Sequence, residues 1–211
     1  MRDRRKEIVA AGYDRLADTY LEWGRKVTHD PRQRMLAEFM SRLPDGGRVL
    51  DLGCGAGLPS TGDLARRFRV VGVDISPVQL ELARRNVPTA EFVPGDITEV
   101  DFADSTFDGV AAFYAISHVP REEHQRLFTD IFRWLVPGGL FLATLGASDA
   151  PDWTGDWLGE QMFFSSHDAD VNRGLLKTAG FELLLDEVLQ TGEPDGSVSF
   201  LWVIARKAPL S

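Results

Sequence analysis

Several features of secreted, membrane-spanning and disulfide-bonded proteins are missing from this sequence. Its 211 residues include a single cysteine, Cys54, so no intrachain disulfide can form. No stretch reaches the ~18 to 20 apolar residues that a membrane-spanning helix needs. The charged start, Met1 to Glu7, is not followed by the apolar stretch of a signal peptide. These absences predict a cytoplasmic protein that has no membrane partner.

The sequence also lacks a basic excess. Asp and Glu number 32 and Lys and Arg number 23, which gives a formal net charge of −9. A protein that neutralises many nucleic-acid phosphates needs a basic surface, so the charge argues against a nucleic-acid partner. The basic residues Arg2, Arg4, Arg5 and Lys6 could attract an anionic substrate, but we interpret them as a solvated terminus.

Helix-like and strand-like patterns alternate along the chain. Apolar residues recur at helical spacing in residues 35–43, 127–135 and 171–179. Between these segments lie short, nearly continuous apolar runs, which are typical of strands buried on both faces of a parallel sheet. The runs cover residues 48–52, 69–73, 90–93, 107–113 and 139–144. At the end of the chain, two strand-like runs follow each other without a helix, which predicts an antiparallel hairpin. The patterns together predict a three-layer α/β fold with an N-terminal cap of two helices.

A glycine-rich turn follows the first predicted strand. Val49-Leu-Asp-Leu runs into Gly53, Gly55 and Gly57, and a helix is expected to begin near Pro59. Glycine at such a turn lets the backbone pass close to a ligand. The spacing departs from a dinucleotide fingerprint, because Leu58 stands where that fingerprint has its third glycine.

Three aspartates stand at or near the ends of predicted strands. Asp51 precedes the glycine turn, Asp74 closes the second strand and Asp96 follows the third. The carboxyl ends of parallel strands share one edge of a sheet, so we expect these carboxylates to line one crevice above the glycine turn. An acidic residue placed like Asp74 commonly accepts hydrogen bonds from the ribose hydroxyls of an adenosine ligand.

These motifs resemble those of the class I, Rossmann-like methyltransferases that use S-adenosyl-L-methionine, and in particular the small-molecule branch of that family. The segments that carry the resemblance are Val49-Leu-Asp-Leu-Gly-Cys-Gly-Ala-Gly, Val73-Asp-Ile-Ser, Gly95-Asp-Ile, Phe107-Asp-Gly-Val, Val136-Pro-Gly-Gly-Leu and Ala179-Gly-Phe. The segment Tyr13-Asp-Arg-Leu-Ala-Asp-Thr-Tyr is similar to the helical cap of that branch. The resemblance implies a seven-stranded, mostly parallel sheet of order 3-2-1-4-5-7-6, in which strand 7 is antiparallel.

The resemblance also implies where the cofactor binds. Asp51 is expected to orient its amino group, Asp74 to bind the ribose, and Asp96 with Ile97 to contact the adenine edge. A positively charged sulfonium ligand is compatible with such an acidic crevice. The cofactor-binding residues implied in this way are Tyr20, Asp51, Gly53, Cys54, Gly55, Gly57, Asp74, Ile75, Asp96, Ile97 and Phe113. Tyr20 is expected near the carboxylate of the cofactor, and Phe113 is expected to offer its backbone carbonyl to the amino group.

The acceptor side shows no metal-ligand pattern. Residues 109–120, after the fourth strand, include no acidic residue, which favours a metal-independent reaction. By the resemblance His118 lies in the acceptor pocket, either as a general base or as a residue that closes the loop and shapes the pocket. The predicted substrate residues are Tyr13, Tyr114, His118, Trp153, Trp157 and Phe163.

Residues 146–168 form an unusually long connection in which aromatic and acidic residues are interleaved. Long connections in compact domains are usually functional or mobile. We interpret this one as a lid over an apolar or cationic acceptor. The alternative is a surface subdomain that packs its aromatic residues against the core or against a second subunit, which leaves a homodimer open.

We therefore predict a single methyltransferase domain over residues 1–211. Its parts are a helical cap at 1–47, a cofactor-binding core at 48–145, a lid-like insertion at 146–168, and a last helix with the hairpin at 169–211. The predicted activity is methyl transfer to a small-molecule acceptor, with S-adenosyl-L-homocysteine as product; the acceptor atom (O, N, C or S) stays open. The alternatives are a protein that binds the cofactor without transferring its methyl group, acting as a sensor or partner, and a nicotinamide-dependent oxidoreductase.

Overall fold

A computed structural model describes residues 3–208, without the side chain of Asp18, as a central sheet covered by helices. Arg2, one of the N-terminal basic residues, lies outside the described residues. The helices are α1 (Arg4–Arg15), α2 (Ala17–Gly24), α3 (Arg32–Ser41), α4 (Ser60–Ala65), α5 (Pro77–Asn86), α6 (His124–Trp134) and α7 (Ala169–Thr178). Two short 3₁₀ helices, Ile116–His118 and Arg121–Glu123, follow the fourth strand.

The strands form one large sheet and one separate hairpin. They are β1 (Arg48–Leu52), β2 (Arg69–Asp74), β3 (Glu91–Pro94), β4 (Phe107–Ala112), β5 (Leu135–Gly146), β6 (Ala150–Trp157), β7 (Glu160–Ser166), β8 (Phe181–Glu193) and β9 (Gly196–Lys207). The large sheet has the order β3-β2-β1-β4-β5-β9-β8, and β9 runs antiparallel to both of its neighbours. This topology confirms the predicted order, since β8 and β9 are the sixth and seventh strands of that sheet.

Both faces of the sheet are buried, as the continuous apolar runs predict. Leu50 belongs to a buried cluster that includes Phe128 of α6 and Leu176 of α7. Its neighbour Val49 belongs to a second cluster, with Phe39 of α3 and Leu64 of α4. Successive side chains of a strand point to opposite faces, so one apolar strand holds helices on two sides of the sheet.

The N-terminal cap contains three helices, where the sequence predicts two. The additional break falls at Leu16, between α1 and α2, where the backbone leaves helical geometry (φ −86°, ψ 1°). Leu16 is fully buried in a third cluster together with Met162 and Phe163 of β7. Packing against a distant strand therefore accompanies a break that the local pattern does not indicate.

Residues 146–168 are mainly an antiparallel hairpin of β6 and β7, which the sequence analysis does not predict. Leu158 and Gly159 form its two-residue loop, and both have positive φ (57° and 89°). Positive φ at both loop positions matches the right-handed twist of a hairpin. The sequence carries one local sign of this hairpin, because Gly159 lies between two segments that contain aromatic residues. Among the described residues, no helix is both long and apolar enough to cross a membrane.

Candidate active site

A pocket of about 700 Å³, counting its open mouth, lies where the strands β1, β2 and β4 end. It is lined by Lys6, Val9, Tyr13, Tyr20, Gly53, Gly55, Asp74, Ile75, Gln79, Asp96, Ile97, Phe113, Tyr114, Ala115, His118 and Val119. Its residues therefore come from the strand ends, from the cap and from the loop after β4. A ligand in this pocket would be enclosed by segments that are far apart in the sequence.

The glycine turn forms the floor of the pocket. Gly53 has a φ of +71°, and a Cβ there would lie only 2.3 Å from the Cβ of Ala115. The N–H of Gly55 donates to Oδ2 of Asp74 at 2.8 Å, and the N–H of Ser76 donates to Oδ1 at 2.9 Å. Ser76 also caps α5 by accepting from the N–H of Gln79. These bonds hold the Asp74 carboxylate against the turn.

Two of the predicted carboxylates, Asp51 and Asp74, are buried, and burial raises the pKa of both. Burial raises the pKa of Asp74 to about 6, although the backbone N–H groups of Ser76 and Gly55 oppose the rise. Burial likewise raises the pKa of Asp51 to about 6, against a hydrogen bond from Thr61. Asp74 lines the pocket, whereas Asp51 lies behind its wall and accepts from the Thr61 hydroxyl at 2.6 Å. A nearby cation would favour the ionised form of both groups.

The third carboxylate, Asp96, is paired with Lys6. The Lys6 ammonium lies 2.9 Å from Oδ2 of Asp96 and 2.8 Å from Oε2 of Glu123, and it donates to the Thr98 hydroxyl at 2.6 Å. Lys6 is only 8% exposed, so the interpretation as a solvated terminus is wrong for this residue. The signal was available in the sequence, since Lys6, Val9 and Tyr13 follow the spacing of one helix face.

Arg5, the neighbour of Lys6, is also bound to the body of the protein. Its guanidinium lies 2.6 Å from Glu122 and 2.6 Å from Asp152 of β6. Helix α1 is therefore linked by ion pairs to the hairpin β6/β7 and to the loop after β4. Because α1 covers the pocket, we call it the roof helix.

His118 lies at the other end of the pocket, between two hydrogen-bond partners. Its Nδ1 is 2.8 Å from the carbonyl oxygen of Phe163, and its Nε2 is 2.8 Å from the hydroxyl of Tyr13. Burial lowers the pKa of His118 to about 4, so the ring is neutral at pH 7. A carbonyl can only accept, which assigns the proton to Nδ1 and leaves Nε2 to accept from Tyr13.

Aromatic rings surround this end of the pocket. We use the term aromatic cluster for Tyr13, Tyr20, Trp23, His118, Trp153, Trp157 and Phe164, whose ring centroids lie 4.5–6.3 Å from their neighbours. Trp157 is central, because its ring packs against those of Tyr13, Tyr20, Trp23 and Phe164. The hairpin and the cap thus meet through aromatic contacts next to His118.

Several predicted site residues lie outside the pocket lining. Trp157 stands behind Tyr13 and Tyr20, Trp153 is 47% exposed, and Phe163 is fully buried between the hairpin and α1. Phe163 reaches the site through its carbonyl oxygen alone. Direct contact of these three side chains with a substrate stays a prediction.

Gly57 and Cys54 also lie behind the lining. A Cβ on Gly57 would lie 3.1 Å from Cγ2 of Val87 and 3.4 Å from Ala83, so this glycine lets α5 pack closely against the turn. The Cys54 side chain is buried, and burial raises the pKa of its thiol. Cofactor contacts of these two residues stay predictions as well.

The pocket includes residues that sequence reasoning missed, namely Lys6, Val9, Gln79, Ala115 and Val119. Gln79 is 1% exposed, and its Oε1 has no hydrogen-bond partner. A buried amide oxygen without a partner is costly, and a ligand that donates a hydrogen bond would satisfy it. Nothing local distinguishes Gln79 from an ordinary residue of a helix's first turn.

Comparison with known proteins agrees with this geometry. Residues 49–139, from β1 to the start of β5, match the family model of the methyltransferase domain. This stretch contains the glycine turn, Asp74, Asp96 and His118. This segment of the chain is similar to a methyltransferase domain, as the motifs indicate. By that resemblance S-adenosyl-L-methionine is the expected cofactor.

Individual methyltransferases resemble this chain over part of their length. A phosphatidylethanolamine N-methyltransferase of Cereibacter sphaeroides is 37% identical over 139 residues, which are 63% of this chain and 65% of that protein. A trans-aconitate 2-methyltransferase of Variovorax paradoxus is 40% identical over 116 residues, which are 53% of this chain and 44% of that protein. This chain therefore covers less than two thirds of the length of either relative.

A solved structure shares the fold over nearly the whole chain. It is the 1,6-didemethyltoxoflavin-N1-methyltransferase of Burkholderia thailandensis, with bound 1,6-didemethyltoxoflavin and S-adenosylhomocysteine. The TM-score is 0.70 at 22% identity, and the alignment covers 97% of this chain and 87% of that one. The methyltransferase fold thus includes the cap and the C-terminal hairpin.

The residues of the pocket fit the cofactor of the family. Gly53 lines the pocket with its backbone next to Ala115, and Asp74 and Gln79 offer acceptor oxygens to hydroxyl groups. Buried carboxylates that ionise more readily near a cation suit a sulfonium compound. Among the described residues, no cluster of three His, Cys, Asp or Glu side chains is arranged to hold a metal ion.

Proposed function

We propose that this methyltransferase transfers the methyl group of S-adenosyl-L-methionine to a small-molecule acceptor without using a metal. The observation that carries the proposal is that Asp74 and His118 line the same pocket. The carboxylate of Asp74 suits a cationic nucleoside, and the unprotonated Nε2 of His118 suits a hydrogen-bond donor of the acceptor. The cofactor supplies a reactive methyl group when bound, so the protein has to bind, orient and exclude water.

Within this proposal the cofactor-binding residues act at separate points. Asp74 and Gln79 accept from the ribose hydroxyls, Gly53 allows the close approach of the methionine part, and Asp96 with Ile97 faces the adenine. Lys6 forms an ion pair with Asp96 at that end. Asp51 acts through its charge from behind the wall rather than by contact.

Arg32 belongs to the methionine end of the proposed site, and no sequence motif indicates it. Its guanidinium stacks over the ring of Tyr114 at 4.9 Å and over that of Phe113 at 5.6 Å. Its Nε is buried without a hydrogen-bond partner and lies 3.4 Å from Oδ2 of Asp30. The charge of Arg32 also acts on Tyr20, where it opposes the rise of the pKa that burial causes. We assign to Arg32 and Tyr20 the attraction of the cofactor's carboxylate.

We assign His118 to the acceptor. Its Nε2 carries no proton at pH 7 and points at the hydroxyl of Tyr13, a neighbouring lining residue whose place a donor group of the acceptor would take. It can therefore accept a hydrogen bond, and then the proton, from an O–H or N–H of the acceptor. A pKa near 4 makes it a weak base, so orienting the acceptor is the larger part of this role.

Two alternatives differ from the proposal in what they predict for ligands. An oxidoreductase would be stabilised by NAD, whereas we expect S-adenosyl-L-homocysteine to raise the melting temperature and NAD to leave it unchanged. A sensor without transferase activity would bind the cofactor equally well. Turnover separates it from an enzyme: with acceptor fractions from a cell extract, we expect S-adenosyl-L-homocysteine to form with the wild type and much more slowly with His118→Asn. Stabilisation by NAD alone would refute the proposal.

Two broader predictions from the sequence remain part of the proposal. Location in the cytoplasm is checked by cell fractionation of the tagged protein. A homodimer would form through the exposed part of the hairpin β6/β7, which includes Trp153. Light scattering of the wild type and of Trp153→Ser measures whether a dimer exists and whether this residue lies in it.

A further inference from the structure

We propose that the methyl acceptor is an uncharged, planar aromatic or heteroaromatic ring that donates one O–H or N–H to Nε2 of His118. This inference rests on the proposed function and adds the chemical class of the acceptor. Three observations carry it: the absence of an available positive charge, the neutral state of the rings around His118, and the unprotonated Nε2.

The first observation argues against acceptors that bear a negative charge. Among the described residues that line the pocket, Lys6 is the one with a permanent positive charge. Its ammonium is already held between Asp96 and Glu123. Arg32, which lies over Phe113 and Tyr114, is assigned to the carboxylate of the cofactor. A carboxylate or phosphate that entered beside His118 would therefore lose its water shell and meet no free cationic side chain of the protein, which is unfavourable.

The second observation concerns the groups that face the acceptor. Burial raises the pKa of Tyr13 and of Tyr20, so both phenols stay protonated, and burial keeps His118 neutral. The remaining members of the aromatic cluster, Trp23, Trp153, Trp157 and Phe164, stand behind these lining residues and add no charge. A second cation at this end would be repelled by the sulfonium of the cofactor. An uncharged flat ring can instead pack between aromatic side chains in the edge-on or offset arrangements that these rings already show.

The third observation sets the polar contact. Nε2 of His118 accepts from the Tyr13 hydroxyl at 2.8 Å. Tyr13 lies on α1, the roof of the pocket, so its hydroxyl is the group that an incoming O–H or N–H would replace. A ring that lacks such a donor would leave Nε2 bonded to Tyr13 and would gain no polar contact there, so it should bind more weakly.

Three naphthalene probes of similar size test the acceptor class. They are 2-naphthol, which is neutral and donates, 2-methoxynaphthalene, which is neutral and cannot donate, and 2-naphthoate, which is an anion. Each is titrated calorimetrically at pH 7 into protein saturated with S-adenosyl-L-homocysteine. We expect 2-naphthol to bind at least about tenfold more tightly than 2-naphthoate and about fivefold more tightly than 2-methoxynaphthalene.

Two variants separate the role of Nε2 from the shape of the pocket. In His118→Phe the preference for 2-naphthol over 2-methoxynaphthalene should disappear, while the preference over 2-naphthoate should remain. In Tyr13→Phe, where Nε2 has lost its competing donor, 2-naphthol should bind as tightly as in the wild type or more tightly.

Each alternative result has a definite meaning. Equal or tighter binding of 2-naphthoate overturns the uncharged class, and failure of all three probes to bind overturns the planar-ring assignment. A preference for 2-naphthol that survives in His118→Phe overturns the contact with Nε2. Failure of S-adenosyl-L-homocysteine itself to bind refutes the proposed function rather than this inference, so the two failures are distinguishable.

Discussion

The Lys6 ammonium lies 2.9 Å from Oδ2 of Asp96, and this ion pair joins the roof helix α1 to the loop that follows β3 at the pocket rim. Both side chains are nearly buried, with 10% and 11% of their side-chain surface exposed. The same ammonium also contacts Glu123 in the loop after β4. One side chain of the N-terminal helix therefore holds two segments of the pocket wall together.

Removing this charge should destabilise the protein. In Lys6→Met, two largely buried carboxylates lose their partner, and we expect the free energy of unfolding to fall by about 2 kcal/mol. Urea unfolding followed by tryptophan fluorescence measures the change. Arg15→Gln is the matched control, because Arg15 lies on the same helix but its ion pair with Glu160 is more exposed. A change of less than about 0.5 kcal/mol is expected there. Equal effects of the two substitutions would contradict the buried linkage.

The floor of the pocket can be tested with two glycines that share one backbone conformation. Gly53 and Gly46 both have a φ of +71°, but a Cβ on Gly53 would meet Ala115 at 2.3 Å, whereas nothing lies within 4 Å of one on Gly46. Gly46→Ala should cost about 1 kcal/mol, from backbone strain alone. Gly53→Ala should cost at least about 2 kcal/mol more, because the clash adds to the strain, and should abolish binding of S-adenosyl-L-homocysteine.

Chemical denaturation gives the stabilities of both glycine variants, and calorimetry gives their affinities. Gly46→Ala should bind the cofactor product as the wild type does. If Gly53→Ala also binds it normally, the turn at Gly53 is not the floor of the cofactor site.

Cofactor affinity should depend on pH through Asp74. The pKa of this carboxyl is raised to about 6 by burial, so it is ionised at pH 7 and mostly protonated at pH 5. The ionised form is the better acceptor for hydroxyl groups and the one that attracts positive charge. The dissociation constant of S-adenosyl-L-homocysteine should therefore increase by up to about tenfold between pH 7 and pH 5.

In Asp74→Asn the affinity at pH 7 should fall by roughly 10- to 100-fold, and the dependence on pH should become weaker. Asp51 titrates in the same range, so a smaller dependence should remain. Asp170→Asn is the control, since that carboxylate is 93% exposed and lies on α7. An unchanged affinity in Asp74→Asn would remove Asp74 from the ribose site.

The contact between the roof helix and the hairpin depends on Gly12. A Cβ at this position of α1 would lie 2.7 Å from Cε of Met162 and 2.9 Å from the carbonyl oxygen of Gln161, both on β7. Gly12→Ala should therefore reduce stability by about 1–3 kcal/mol, although alanine favours helix formation. Gly174→Ala, in α7 with open space around it, should raise stability by up to about 1 kcal/mol. Thermal unfolding of the two variants compares them directly, and a stabilised Gly12→Ala would show that α1 does not pack tightly on the hairpin.

The residues at the strand ends could be predicted from the sequence, whereas the buried ion pairs of Lys6 could not. Gly53, Asp74 and Asp96 follow buried apolar runs, and parallel strands bring such positions to one edge whatever the details of packing. Ser76 at the start of α5 was equally predictable, because a capping box is a local pattern. By contrast, burial of Lys6 depends on Asp96 and Glu123, which lie 90 and 117 residues further along the chain. The spacing of Lys6, Val9 and Tyr13 indicates a shared helix face, but it gives no sign of these distant partners.

By itself, therefore, the sequence determined the α/β class and the position of the site at the strand ends, and its resemblance to a known family implied the order of the sheet and the cofactor. These depend on periodicity and on motifs at strand ends, which act over a few residues. Only the tertiary structure decided that Asp51 stands behind the wall, that α1 covers the pocket, and that a β-hairpin brings the Phe163 carbonyl to His118. The protonation state and orientation of His118 follow from burial and from partners on other elements, and such long-range packing leaves little trace in the residues that surround it in sequence.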